Sequence, residues 1–331
     1  MIKSISYIFG CLIFLTSCHS NRNVDENNKP KGAYFSEKAD TIANIFAEDI
    51  VSTMHDELNA VFSPDGKEFY YTLANPRRSF YTILMFSLDE NENWQGPKVA
   101  PFSGKYSDAD PYITSDNKSL YFISKRPFNE TEKEESKDFD IWVTNRTNNG
   151  WSDAIRLDTT INTSRDEYYV SATDDGSIFY SAQNEGSLGS SDIYEAKPKN
   201  GGFEVLNLGE AINSEFREGD PYVSPDGNMI IFTSSGREDG FGSVDLYISF
   251  KKEGIWQKAQ NIGPQINSKS FDYCPMMSPD GKYFFWTSYR LDPLFNPDGY
   301  TYESYRSRIE NAKNGLGNIY WIKAEVLEKF R

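Results

Sequence analysis

One sentence of residues recurs five times in this chain, and recurrence at a fixed period constrains the fold more than any local propensity. Its clearest copy runs from Glu218 to Tyr247: an acid, a short apolar run, a Ser-Pro-Asp-Gly turn, a second apolar run, a loop and an Asp-Leu-Tyr strand start. The turn appears as Ser63-Pro64-Asp65-Gly66, Thr114-Ser115-Asp116-Asn117, Thr173-Asp174-Asp175-Gly176, Ser224-Pro225-Asp226-Gly227 and Ser278-Pro279-Asp280-Gly281. Asp at the third place can accept nearby backbone N–H groups, and Gly or Asn at the fourth tolerates positive φ. After each turn comes a run apolar on both faces, such as Phe69-Tyr70-Tyr71, Ile230-Ile231-Phe232 or Tyr283-Phe284-Phe285-Trp286. Such short runs predict buried inner strands.

A third strand follows a loop of variable length, as in Ile141-Trp142-Val143 and Leu246-Tyr247-Ile248. An aromatic nine residues on, in pairs such as Trp142 and Trp151 or Tyr247 and Trp256, fits a short hairpin into a fourth, outer strand. That strand ends in Ile161-Asn162-Thr163, Ile212-Asn213-Ser214 and Ile266-Asn267-Ser268. Four strands at a period of roughly 50 residues are the signature of a propeller blade. The fifth unit has no outer strand of its own, since ten residues follow Trp321. The stretch Asn44 to Thr53 matches the missing piece in type. The chain is therefore expected to be all-β: a five-bladed β-propeller of four-stranded antiparallel blades, closed by an N-terminal strand completing the last blade. Closure of that kind removes an edge that would otherwise open.

The Ser-Pro-Asp-Gly turns at 63–66, 224–227 and 278–281, with Asp-Ile/Leu-Tyr/Trp at 140–142, 192–194 and 245–247, resemble the WD40-like propeller repeat of TolB and of many bacterial envelope proteins. The resemblance covers about 45–325 and implies the fold. It implies little about function, because propellers host binding and catalysis alike. Ile83 and Asn318 depart from it, standing where the third strand should begin with Asp.

Residues 1–17 read as a signal peptide, a short apolar run behind Lys3 that is too short for a comfortable membrane span. Leu15-Thr16-Ser17-Cys18 resembles the bacterial lipobox, which implies cleavage before Cys18 and lipid (palmitate) on its thiol. Residues 18–33 are polar and suit a flexible tether, and 34–331 form the propeller domain. The expected location is the bacterial envelope, at the outer membrane since His19 rather than Asp follows the cysteine, with the periplasmic or surface face open. Membrane contact is expected through the anchor only. The formal charge of −15, from 34 basic and 49 acidic residues, argues against nucleic acid as a partner.

One position is acidic in all five repeats: Glu57, Asp108, Glu167, Glu218 and Asp272. It opens the innermost strand and is expected to ring one mouth of the channel, where it could hold a cation such as calcium or supply paired carboxylates. Recurrence in every blade favours a structural role instead, with Arg126 or Arg290 as partners. A second position adds Asp110 and Asp220, and its other occupants include Asn59 and Cys274. Cys274 reads as a small buried residue more readily than as a reactive thiol. Asp140, Asp192 and Asp245 read as architecture. The long fifth loop, 289–316, carries Tyr289, Arg290, Tyr300, Tyr302, Tyr305 and Arg306, a composition common at binding hot spots.

No Gly-x-Ser-x-Gly elbow, HExxH or glycine-rich phosphate loop occurs, so no catalytic residue is assigned. Two histidines are too few for a zinc site of the usual kinds, and no cofactor is expected beyond the calcium just considered. The expected function is a non-catalytic binding or scaffold module for an envelope protein or glycan. The alternative is a carbohydrate-active enzyme using two ring carboxylates, Glu57 or Asp108 with Glu218.

Overall fold

In a computed structural model, which describes residues 30–128, 134–293 and 296–331, five antiparallel sheets follow one another along the chain. A short strand β1 (Asn44–Ile45) comes first and stands apart from blade one. Blade one is β2 (Asp56–Phe62), β3 (Glu68–Ala74), β4 (Tyr81–Leu88) and β5 (Trp94–Val99). Blade two is β6 (Asp108–Ile113), β7 (Ser119–Ser124) and β8 (Asp140–Thr147), with an outer strand split into β9 (Gly150–Trp151) and β10 (Ile155–Arg156). Blade three is β11 (Glu167–Ala172), β12 (Ile178–Ala182), β13 (Asp192–Lys199) and β14 (Gly202–Asn207). Blade four is β15 (Arg217–Val223), β16 (Met229–Ser235) and β17 (Asp245–Lys252), with a split outer strand β18 (Ile255–Trp256) and β19 (Gln260–Asn261). Blade five is β20 (Asp272–Met277), β21 (Tyr283–Ser288) and β22 (Asn318–Lys323), and helix α1 (Tyr302–Ile309) lies in the loop before β22.

The fourth strand of blade five is β1, with Asn44 opposite Trp321 and Ile45 opposite Tyr320. The protein is a five-bladed β-propeller closed by its N-terminal strand, as the repeat predicts. Two residues of β1 pair in register, Phe46 N donates to Ile319 O at 2.8 Å, and aromatic packing adds to the joint. Phe46 is fully buried, with ring centroids 5.5 Å from Phe69 in blade one and 5.2 and 5.1 Å from Phe285 and Trp321 in blade five. Edge-to-face contacts of this kind add to what area burial already contributes.

The recurring residues share one wiring. In each tight turn the Ser or Thr hydroxyl bonds the Asp two residues on, as Ser63 does to Asp65 at 2.6 Å and Ser278 to Asp280 at 2.7 Å. Gly66, Gly176, Gly227 and Gly281 take positive φ there, and Asn117 does the same in blade two. The Asn of each Ile-Asn-Ser/Thr ending acts as a piece of backbone. Asn213 Oδ1 accepts from Ile193 N at 2.8 Å and its Nδ2 donates to Ile193 O at 3.0 Å. Asn162 and Asn267 treat Ile141 and Leu246 in the same way. In the closing blade Ser52 takes this place, accepting from Ile319 N and donating to Ile319 O, both at 3.2 Å.

One assignment shifts. Ile83 pairs with Thr72 and gives its N–H to Ser103 Oγ, which makes it the counterpart of Ile141 and not of Asp140. Thr82, opposite Leu73, holds the Asp position in blade one. The loop before β4 hid a one-residue offset. Asp140, Asp192 and Asp245 hold local structure: Asp140 takes both arms of Arg156, and Asp192 and Asp245 accept the N–H groups of Gly189 and Gly242.

Asn213→Ala deprives Ile193 of both partners in a buried setting and should cost about 2 kcal/mol. Urea unfolding would measure it, and a loss under about 0.5 kcal/mol would mean that the amide is not part of the sheet's bonding.

Candidate functional site at the channel

The five recurring acids do not form an open ring. Glu57, Asp108, Glu167, Glu218 and Asp272 are all buried, and each is tied to a Ser or Thr from the end of the preceding blade. Ser103, Thr163, Ser214 and Ser268 hydroxyls donate to Asp108, Glu167, Glu218 and Asp272 at 2.9, 2.7, 2.6 and 2.7 Å. Thr53, in the segment that follows the closing strand, serves Glu57 in the same way. Arg126, Arg237 and Arg290 neutralise Asp108, Glu218 and Asp272 at 2.9, 2.9 and 3.8 Å. Among the described residues no arginine pairs with Glu57 or Glu167. Burial accordingly pushes Glu57 up to about 7 and Glu167 up to about 8. The expectation of a carboxylate ring at the mouth is corrected: these groups join blade to blade inside the wall.

The channel is lined two residues further on. Each innermost strand carries a β-bulge, and the register of β2, β6, β11, β15 and β20 against its neighbour shifts there. The bulged residues Asn59, Asp110, Tyr169, Asp220 and Cys274 all have positive φ, from 45° to 56°. Asn and Asp accept that conformation readily, whereas Tyr and Cys are strained by it. The bulge turns these side chains inward and sends their N–H groups sideways. Asn59 N bonds Thr287 Oγ1, Asp110 N bonds Thr72 Oγ1, and Cys274 N bonds Asp220 Oδ2 at 3.2 Å, each in the preceding blade.

Tyr169 crosses the channel. Its hydroxyl donates to Pro275 O at 2.6 Å, from blade three to the non-adjacent blade five. Above this bar lies a funnel of about 450 Å³, within the usual size range for small-ligand pockets. Asp110, Asp220 and Cys274 line its depth, and Tyr81, Phe139, Tyr168, Phe271 and Tyr273 make an aromatic wall. Arg78, Lys125 and Arg217 bring positive charge to the same wall. A second cavity of about 870 Å³ opens at the other mouth, between the tight turns, and contains no carboxylate of the bulge set.

Asp110 is 8% exposed, while Asp220 keeps more of its surface in the funnel. Burial first, and the Asp220 charge second, push Asp110 up to about 7. Burial also raises Asp220, but Cys274 N–H, Arg217 and Arg78 oppose the rise. Two carboxyl groups held in one pocket at different strengths are suited to proton exchange. Asn59 Oδ1, buried beside them, has no partner among the described residues. Burial raises the Cys274 thiol well above its ordinary value, which disfavours the thiolate that a nucleophile would need.

The other candidates scatter. Tyr289 bonds Asp56 and Tyr273 and backs Arg78, which pairs with Asp56 at 3.3 Å. Arg290 is held by Ile266 O and Asp272, inside the wall. Tyr300, Tyr302 and Tyr305 are exposed on and beside α1, and Arg306 pairs with Glu310. Cys18 lies outside the described residues. Among the described residues no group of three His, Cys, Asp or Glu side chains could hold a metal ion, and no helix is long and apolar enough to cross a membrane. Sequence reading left Tyr169, Lys125, Arg217, Arg78 and Tyr168 unmarked. For Tyr169 the signal was its place two residues after the blade acid.

No family model matches the chain, and none of the curated proteins does. Solved structures of similar fold exist. One, a "Glycoside hydrolase", has 11% identity and a TM-score of 0.52 over 90% of this chain and 93% of that one. Another, a BT0996 RGII complex, has 11% identity and a TM-score of 0.50 over 89% and 92%. An α-L-arabinofuranosidase from Lactobacillus brevis has 13% identity and a TM-score of 0.44 over 82% and 95%. The expectation of a non-catalytic scaffold is corrected accordingly: like-folded proteins include a glycoside hydrolase, and the channel of this one holds a carboxyl pair in a ligand-sized funnel. The carboxyl pair that the funnel presents is Asp110 and Asp220, not Glu57 or Asp108 with Glu218.

The acids of the wall separate by partner. For Glu167 the folded value lies above the unfolded one, so wild-type stability falls as pH rises from the ordinary glutamate range through about 8. Glu167→Gln removes that slope, so its melting temperature should gain on wild type across that window. Glu218→Gln strips Arg237 of its counter-charge and should cost about 2 kcal/mol. Melting curves between about pH 5 and pH 9 test both, and parallel profiles for Glu167→Gln and wild type would refute the assignment.

Proposed function

We propose that the protein hydrolyses glycosidic bonds in the channel funnel. The observation that carries this reading is the Asp110–Asp220 pair in a blind, aromatic-walled pocket, and the like-folded glycoside hydrolase agrees with it. Asp110, protonated up to about pH 7, gives its proton to the departing glycosidic oxygen. Asp220, less buried and accepting the Cys274 N–H, takes a proton from the water that adds to the anomeric carbon. Asn59 Oδ1 offers that water a second acceptor. One bond to the leaving oxygen breaks, one to the water oxygen forms, and the proton returns from Asp220 to Asp110 through solvent. Aromatic side chains such as Tyr81 and Phe139 give apolar sugar faces a surface to stack on.

Beyond this chemistry, the repeat's likeness to the WD40-like TolB type and the lipobox-like Leu15–Cys18 support an envelope lipoprotein, anchored through Cys18 at the outer membrane. Glycan is then its partner as substrate.

Hydrolysis of a glycan panel should fall roughly a thousandfold in Asp110→Asn and in Asp220→Asn, with folding intact. Wild-type activity should decline as pH rises past about 7, where Asp110 loses its proton. Full activity in either variant would sink the mechanism. Metabolic palmitate labelling should vanish in Cys18→Ala, and labelling that persists would place the lipid elsewhere.

A further inference from the structure

We infer that the substrate is an acidic oligosaccharide, with a sugar carboxylate held by Arg217 next to the point of cleavage. This rests on the hydrolase reading and names the substrate class of that site. The protein carries a formal charge of −15, yet three cations converge on the funnel wall. Two of them are engaged. Arg78 is paired with Asp56 and sits over the rings of Tyr81, Tyr273 and Tyr289. Lys125 donates to Lys137 O at 3.2 Å and lies 4.8 Å from the Phe139 ring centroid.

Arg217 differs. Its side chain is exposed, and its guanidinium has no hydrogen bond or ion pair among the described residues. Its charge reaches Asp220 and Tyr168. It stands at the start of β15, three residues before Asp220, so the strand that carries the catalytic carboxylate also carries the free cation.

Arg217 also marks a junction. A groove of about 740 Å³ runs outward from the funnel between the blade two and blade three loops, and shares Tyr168 and Arg217 with it. Its lining is polar, with Lys137, Arg165, Gln183 and Ser190. Its two acids, Asp138 and Asp166, each accept a hydrogen bond, from Ser136 Oγ and Phe139 N, and are outnumbered by Lys137, Arg165 and Arg217. Tyr169 spans the channel below the funnel, so the rest of a chain whose end sits in the funnel extends back past its rim, where the groove begins at Tyr168 and Arg217. A blind pocket joined to a polar groove fits a chain of sugars with one unit seated at Asp110 and Asp220 and the next passing Arg217. The planar guanidinium fork matches a carboxylate in two parallel bonds, which favours a uronic acid over a neutral sugar. Cations around the mouth would also draw an anionic chain towards it.

The test uses the full-length Asp110→Asn protein, so binding is read without turnover. Calorimetric titration compares short galacturonate, glucuronate and mannuronate oligosaccharides with their carboxyl-reduced counterparts and with sulfated neutral oligosaccharides. At least one uronide should bind about tenfold or more tightly than its reduced form, with an affinity that falls as salt rises. Adding Arg217→Ala should abolish that preference, and Arg217→Lys should restore part of it. Since the Arg217 side chain is exposed and unbonded, the fold should be untouched. Equal binding of acidic and reduced chains, a preference for sulfated ones, or a preference that survives Arg217→Ala would each overturn the inference. The hydrolase reading stands or falls separately: uronide binding without wild-type cleavage sinks only the chemistry, and cleavage of neutral glycans without uronide preference sinks only the substrate class.

Discussion

The structure depends on one contact used five times, a buried carboxylate at the start of an innermost strand that accepts from the Ser or Thr at the end of the preceding blade. Thr163 to Glu167 and Ser214 to Glu218 are two instances within the run of the chain. The fifth, Thr53 to Glu57, closes the ring, because Thr53 follows the strand that completes blade five. Each bond crosses a blade boundary, and the backbone crosses beside it, with Glu218 N donating to Ser191 O at 2.9 Å and Asp272 N to Val244 O at 3.0 Å. A buried carboxylate is costly unless its lone pairs are filled. Three blades answer with an arginine, and the remaining two leave a glutamic acid near its neutral form.

With the wall fastened outside the channel, the next two residues are free to differ. The bulge gives every innermost strand one left-handed residue pointed at the axis, and that conformation is what all five occupants have in common. Asn59 and the two aspartates fit it at little cost. Tyr169 and Cys274 do not, and their strain is maintained by the surrounding blades. Tyr169 is used to bar the channel, so the bulge creates the funnel's floor as well as its acids. Position in the repeat thus sets geometry, and identity at that position sets chemistry.

The repeat made the fold legible because its turns and strand pairs are local patterns with local causes. The tight-turn bonds of Ser63 and Asp65 and the pairing of β1 with β22 follow from residues visible in the chain. The site was less legible for a physical reason. A five-fold recurrence draws attention to Glu57 and its counterparts, but a residue needed in every blade is one that every blade consumes internally. Asp110 and Asp220 stood in the same sequence as members of a broken pattern, and broken patterns carry no period to read. A bulge leaves no distinct mark in the alternation of apolar residues, so the inward turn of Asp110, and with it the burial that raises its pKa, appears only in three dimensions. Arg217 and Tyr168 needed the packing of blades three and four to become neighbours of the funnel. Long Tyr-rich loops suggest recognition, but α1 carries its tyrosines outside the walls of both the funnel and the groove.

The two mouths of the propeller are also unequal in how the chain reaches them. Pro30 and Gly32 bond the β4–β5 hairpin of blade one, and the Tyr34 ring packs at 5.0 Å on both Phe62 and Tyr283, which line the cavity between the tight turns. The N-terminal segment therefore arrives on the face opposite the funnel. A lipid on Cys18, as proposed, would tether that turn-bearing face towards the membrane and leave the funnel and its groove directed away from it. A polymer too large to approach a bilayer surface could then reach Asp110 and Asp220 from the open side. The depth of the blades separates the face that the N-terminal segment reaches from the funnel, with Tyr169 spanning the channel between them.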